Sequence, residues 1–262
     1  MKAFILKQMR RGLFQPLWEA LSHVSRMGQN HWASSVTTSG EVEALKLLAR
    51  TIPAGGILFD VGSNAGQYAV EAAAILKPAA IYAFEPSRAA FAALGETIAA
   101  YGLDGIVRPL RLALGDHAGA AILHSSEAGA TIGSLLDLRN PYAPFQAEAD
   151  EEVIVATLDD FCKERGIERI DLLKIDVEGA ELAVLKGASR LLGDRRIGAI
   201  QFEFGEGHID ARTYMRDFFD ILGKEYALHR IVSDGLRPVP HYSAELEVFA
   251  TINYLAILKP LA

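Results

Sequence analysis

The chain has 262 residues, half of them apolar and 23% charged, enough for one sizeable core and without the composition of a disordered chain. A formal charge of −7 sets aside nucleic acid as a partner, because a duplex binder needs a basic stripe. The lone Cys162 leaves no intrachain disulfide and no CxxC metal site, and no run of about 18 uncharged apolar residues reads as a membrane span.

The first thirty residues stand apart. Lys2, Lys7, Arg10, Arg11 and Arg26 face a single acid, Glu19. Phe4, Ile5, Leu13, Phe14, Leu17, Trp18, Leu21 and Val24 recur at helical spacing, and Pro16 is expected to divide the segment into two short helices. Such a segment covers an edge of the domain, closes over a substrate as a lid, or lies on a membrane surface; covering an edge is the plainest role. Arg10-Arg11 is reminiscent of an export signal, but Gln15, Pro16 and Glu19 interrupt the apolar stretch that signal requires. The expectation is therefore a cytoplasmic protein, with peripheral contact at the inner face of the membrane if the helix lies there. Residues 27–40 are polar and link this N-terminal helical extension (1–40) to a domain at 41–262.

From Ser39 the signals alternate. A helix is expected to Arg50, a strand at Ile57–Val61, a helix at Tyr68–Leu76, a strand at Ile81–Phe84, and a helix from Ser87, its N-cap, to Tyr101. A third strand spans Val107–Leu114. Residues 115–156 carry short β-like pieces at Ala120–His124 and Glu152–Ala156. Thr157 caps a helix to Arg165, with Asp160 three residues on. Leu172–Ile175 is a strand, Ala180–Leu192 a helix, Ile197–Glu203 a strand and Thr213–Lys224 a helix. Tyr226–Val232 and Ile252–Leu258 pair across a loop carrying Asp234-Gly235. Strands alternating with helices mean a doubly wound, mostly parallel α/β sheet with ligand sites beyond the carboxyl ends of its strands.

Three of those ends carry chemistry. In "FDVGSNAGQY" (59–68), Gly62 and Gly66 stand where a strand turns into a helix, and glycine there allows positive φ and close approach of a ligand to the backbone. Position 64 is Asn, so the dinucleotide pattern G-x-G-x-x-G is not met. Glu85, in "FEPS", follows Gly66 by 19 residues, the spacing at which an acid accepts both hydrogen bonds of a ribose diol. A lone strand-end acid is ordinarily a solvated loop charge, but beside the glycine loop it reads as a nucleoside contact. In "KIDVEGAE" (174–181), Asp176 and Glu178 emerge where a substrate would lie, with Glu181 nearby; a helix dipole accounts for Glu178 and Glu181 but poorly for Asp176. Glu203 and His208 form a fourth cluster, and His208 serves equally as a loop histidine without a role.

Together "FDVGSNAGQYA", "FEPS", "ALGDHAG", "TLDDF", "LLKIDVEGAELAVLKGA", "QFEF" and "NYLAIL" resemble the FkbM family of S-adenosylmethionine-dependent O-methyltransferases, from about Glu41 to Lys259. The resemblance implies a class I methyltransferase sheet of seven strands, the last antiparallel, with S-adenosylmethionine as cofactor and S-adenosylhomocysteine as product. Carried over position by position, Asp60, Gly62, Ser63, Asn64 and Gly66 hold the methionine end of the cofactor, Glu85 the ribose, and Ala113, Leu114 and Asp116 border the adenine. Asp176 sits beside the reactive methyl.

Methyl transfer needs an acceptor oxygen aligned with the donor and a base to take its proton. Asp176 is the first choice, with Glu178, Glu203 or His208 as partners. Carboxylates at strand ends also suit a divalent metal, but nothing in their spacing demands one and none is expected. The family modifies sugars of surface polysaccharides or glycolipids and hydroxyls of secondary metabolites, so a small-molecule or glycan acceptor is implied, most plausibly a sugar hydroxyl. A secondary metabolite, or a nucleotide-sugar-binding domain without catalysis, stands as the alternative.

Overall fold

The computed structural model describes residues 8–33, 35–125, 133–136 and 149–261. Helices α1 (Gln15–Gly28) and α2 (Glu41–Leu48) precede an alternation of β1 (Ile57–Val61), α3 (Gln67–Leu76), β2 (Ala80–Phe84), α4 (Arg88–Ala100) and β3 (Val107–Leu110). Four short strands follow: β4 (Ala113–Leu114), β5 (Gly119–Ser125), β6 (Gly133–Ser134) and β7 (Ala149–Ala156). The alternation resumes with α5 (Leu158–Arg165), β8 (Ile170–Ile175), α6 (Glu181–Lys186), α7 (Ser189–Gly193), β9 (Ile197–Phe204), α8 (Gly207–Ala211) and α9 (Met215–Leu222). It closes with β10 (Tyr226–Val232), β11 (Gly235–Pro238) and β12 (Ile252–Leu258).

The large sheet runs β11-β10-β12-β9-β8-β1-β2-β3. Strands β3, β2, β1, β8 and β9 are mutually parallel, and β12 runs antiparallel between β9 and β10. This is the expected doubly wound sheet with an antiparallel late strand, with one addition. After Val232 the chain turns through Ser233-Asp234, and Gly235–Pro238 pairs back on β10 as an eighth, edge strand. The Asp-Gly step expected as plain loop is therefore part of a hairpin.

Helices cover both faces, so strand positions are apolar on both sides. On one face Phe59, Phe84, Leu173 and Phe202 pack under α5, α6, α7 and α9 through Phe161, Leu185, Leu191 and Phe218. On the other, Leu58, Ile81 and Leu172 meet Leu45 of α2, Tyr68 and Ala72 of α3, and Leu94 of α4. Each large side chain so buried stabilises the fold by roughly 1.5–3 kcal/mol before chain entropy is charged against it.

The expected boundaries fail in three places. The strand at Val107–Leu114 is broken: Leu112 N–H turns back to Leu110 O at 2.9 Å, and Ala113-Leu114 joins β7 in a second sheet of order β4-β7-β5-β6. The helix at Ala180–Leu192 is two, α6 and α7, parted near Gly187; a Cβ there would lie 2.0 Å from Gly115 O. The N-terminal segment does divide, but just before Pro16: helix ends at Met9, and α1 begins at Gln15 with Pro16 in its first turn, where its missing N–H has no helical partner to lose. No residue of α1 is buried, so this helix does not serve as cover for a sheet edge.

Candidate active site

The carboxyl ends of β1, β2 and β8 meet at a cavity of about 240 Å³. Gly62, Asn64, Glu85, Pro86, Ala113, Leu114, Asp176, Glu178 and Glu203 line it, with Phe84, Leu112, Leu123 and Leu135 as an apolar wall. Each of the four strand-end clusters singled out in the sequence thus contributes at least one residue to one space.

The glycine loop is shaped from within. Gly62 has φ +76° and Gly66 φ +87°, which favours glycine at both. A Cβ on Gly62 would stand 1.7 Å from the backbone oxygen of Asp176, and one on Gly66 would stand 2.7 Å from Leu94 Cδ1. The space kept open at these glycines is occupied by the protein itself, not reserved for a ligand. Asn64, at φ +46°, is a residue that tolerates the left-handed region.

Glu85 is buried and held by both oxygens: Asn64 N–H donates to Oε2 and Ser87 N–H to Oε1, each at 2.9 Å. Burial pushes its pKa up to about 7 against those two hydrogen bonds. Each carboxylate oxygen keeps a second lone pair, so the group is fixed in orientation and still free to accept from a diol in the cavity.

Across β1, β8 and β9 the register aligns Asp60, Lys174 and Gln201, a buried polar row through the middle of the sheet. Lys174 Nζ lies 3.4 Å from Asp60 Oδ1 and 3.2 Å from Asp176 Oδ2, donates to Gly62 O at 3.3 Å, and sits 5.4 Å from the centre of the Tyr68 ring. Burial alone would lower the lysine pKa, but the carboxylates of Asp176, Asp60 and Glu41 outweigh it and raise it. The row continues: Tyr68 Oη donates to Gln201 Oε1 at 3.0 Å, Gln201 Nε2 to Glu41 Oε1 at 2.6 Å, and Ser39 Oγ to Glu41 Oε2 at 2.7 Å. Neither Lys174 nor Gln201 was assigned a role from sequence, although a lysine inside "LLKI" is itself a signal: a buried ammonium loses several kcal/mol of hydration and requires partners.

Asp176 emerges beside this row, its N–H bonded to Val61 O at 2.9 Å, with its side chain about one-third exposed to the cavity. Glu178 has φ +55°, a strained conformation for a side chain larger than Asn, of the kind concentrated at functional sites. Burial, then the charges of Asp176 and Glu181, push its pKa up to about 8. Burial likewise drives Glu203 well above the ordinary range, reinforced by Asp176 and Glu178. Beside Glu85 the cavity therefore sets the lysine-paired Asp176 against two carboxyl groups, Glu178 and Glu203, whose hold on a proton burial strengthens.

Several expected site residues lie elsewhere. Asp60 is fully buried beneath the loop against Lys174, and Ser63 Oγ donates to Asp60 O at 2.7 Å; both shape the loop without lining the cavity. His208 is 1% exposed. Its Nδ1 accepts from Gly205 N–H at 3.2 Å, which leaves its proton on Nε2, 3.1 Å from Glu181 Oε2. That is a buried structural pair, away from the cavity wall. Asp116 is exposed beside His117 Nδ1 at 2.6 Å and does not reach the cavity that Ala113 and Leu114 border. Among the described residues no group of three or more His, Cys, Asp or Glu is arranged to hold a metal ion.

The family signature described as the methyltransferase FkbM domain matches residues 60–227, a span containing every residue that lines the cavity. The chain is 29% identical over 171 residues to the 2-O-methyltransferase NoeI of Sinorhizobium fredii, covering 61% of this chain and 69% of that one. It is 29% identical over 153 residues to the hexuronic acid methyltransferase AglP of Haloferax volcanii, covering 58% of each. It is 31% identical over 157 residues to the 31-O-demethyl-FK506 methyltransferase FkbM of Streptomyces tacrolimicus, covering 51% of this chain and 59% of that one. The chain thus matches between about three-fifths and two-thirds of the length of these curated relatives.

Proposed function

Since the chain belongs to the FkbM methyltransferase family, whose methyl donor is S-adenosylmethionine, we propose that it methylates a hydroxyl oxygen of a sugar in a surface glycan or its glycolipid precursor. The cavity fits the donor. Glu85, locked by two backbone N–H groups, suits the ribose diol; the wall of Ala113, Leu114 and Leu112 suits a flat base; and the loop Gly62–Asn64 suits the amino-acid end. When bound, S-adenosylmethionine supplies a methyl group already made electrophilic by its sulfonium.

What remains for the protein is alignment and proton removal. The observation that carries the reading is Asp176, a carboxylate at the cavity rim held 3.2 Å from the buried Lys174. Lys174 anchors Asp176 and the Gly62 carbonyl together, so the base and the donor loop keep a fixed separation. The acceptor oxygen gives its proton to Asp176 as it gains the methyl group. Glu178 and Glu203, whose carboxyl groups burial pushes toward the protonated form, face other oxygens of the acceptor as hydrogen-bond partners. An acceptor rich in hydroxyls or carboxylates suits that lining, and the names of NoeI and AglP support a sugar.

Incubation of the purified chain with isotopically labelled S-adenosylmethionine and bacterial glycan or glycolipid extracts tests the proposal. Mass spectrometry is expected to find label on a sugar hydroxyl, absent with Asp176→Asn. Label confined to a polyketide or small phenol would replace the acceptor class and keep the chemistry.

A further inference from the structure

Helix α1 is rooted at the same end of the sheet as the cavity, the end where β1, β8 and β9 finish. Asn30 Nδ2 donates to Ser39 O and Ile231 O at 2.6 and 3.3 Å, and Trp32 N–H donates to Thr251 O at 2.8 Å. Ile231 lies near the end of β10, and Thr251 immediately precedes β12, whose start faces the carboxyl end of β9 in register with Phe204. The root therefore stands two residues along β12 from Asn253, the register partner of Glu203.

From that root α1 projects with one face bare. Leu13, Leu17, Leu21 and Val24 fall at helical spacing and are 85, 51, 48 and 63% exposed, while Glu19, His23 and Arg26 occupy the opposite side of the turn pattern. Five basic residues against one acid mark residues 1–30, in a chain of net charge −7. Two copies paired through this stripe would cover the leucines but leave these bases without opposite charge. An anionic surface meets both halves of the pattern, accepting the apolar stripe at the headgroup boundary and the bases at its phosphates. No helix among the described residues is long and apolar enough to cross a membrane, so contact would be along the surface.

We propose that α1 docks the protein on an anionic membrane surface, its leucine stripe inserted at the headgroup level, at the end of the sheet that carries the cavity. The inference does not depend on which acceptor is methylated. The test is sedimentation of the full chain with vesicles of phosphatidylcholine alone or with about 30% phosphatidylglycerol, the composition that supplies the surface potential. The wild type is expected to sediment with anionic vesicles, to stay in solution with neutral ones, and to be released by high salt. Leu17→Glu/Leu21→Glu should lower the bound fraction at least about fivefold while calorimetric binding of S-adenosylmethionine is unchanged. Arg10→Gln/Arg11→Gln, which leaves the apolar stripe intact, should weaken binding and reduce its salt dependence. Wild type that ignores anionic vesicles overturns the proposal, as does a leucine variant that sediments equally well. A concentration-dependent dimer abolished by the leucine variant, without vesicle binding, overturns it in favour of a second copy. Loss of turnover on a soluble acceptor, without vesicle binding, overturns it in favour of a lid.

Discussion

Lys174 and Asp176 are joined by a 3.2 Å ion pair, and the same ammonium reaches Asp60 at 3.4 Å. One buried cation thus serves a carboxylate beneath the loop and a carboxylate within the site. Removing it by Lys174→Met leaves Asp60 buried and uncompensated, which should destabilise the protein by about 3–5 kcal/mol. Urea denaturation checks this, and Lys174→Met/Asp60→Asn should recover part of the loss because the stranded charge is gone. A single variant as stable as wild type would mean the pair contributes little.

Asp176→Asn separates chemistry from binding. A general base contributes about 100- to 10,000-fold to rate, so kcat should fall within that range while calorimetry finds S-adenosylmethionine affinity within a few-fold of wild type. A near-normal rate would move the role to Glu178 or Glu203.

His208→Ala tests the reassignment of that residue from catalysis to structure. The buried Glu181 would lose the imidazole 3.1 Å away and keep Val177 N–H at 2.8 Å, a loss of about 3 kcal/mol of stability. Turnover measured well below the melting temperature should stay within about threefold of wild type. A stable variant with no activity would restore a catalytic role.

The raised carboxyl groups predict the pH dependence of the ligand-free protein. Glu85 and Glu178, displaced mainly by burial to about 7 and about 8, bind protons in the folded state that the unfolded chain releases near 4.5. Their contribution to stability is complete below that unfolded value and is lost as pH rises through 7 and then 8. The melting temperature should therefore fall between about pH 5.5 and 8.5, with Glu178→Gln flattening the upper part of the curve and Glu85→Gln the lower. A melting temperature that rises across this interval would contradict the assignment.

What could be read from the chain and what could not divide along physical lines. Strands such as Ile57–Val61 and Ile197–Phe204 announce themselves by apolar runs, and the Thr157 cap by a local pattern that the structure repeats, with Asp160 N–H donating to Thr157 Oγ1 at 3.1 Å. Glu85 was legible because its distance from the glycine loop is set by one βαβ unit. Lys174 against Asp60 was not, since the pairing spans 114 residues and is decided by register. Nor could local pattern show that Asp176 O fills the space beside Gly62, that His208 turns inward to Glu181, or that the kink after Leu110 points Asp116 away from the cavity that Ala113 and Leu114 border.

The two sheets divide the site into parts of different origin. Glu85, the Gly62 loop and Asp176 sit on the large sheet, whose strands are locked on both faces, whereas Leu123 and Gly133 belong to the small one. The sheets are stitched near the cavity by Ser134 Oγ donating to Glu178 O at 3.0 Å. Within the small sheet only β4 (Ala113-Leu114) borders the space assigned to the donor, so exchanging the part that follows it would change one wall and leave the donor half in place. Grafting residues 115–156 as a cassette is thus the natural route to a chimera with a new acceptor, provided the cassette keeps Ser134 and the recipient keeps Gly187, which packs on Gly115 O.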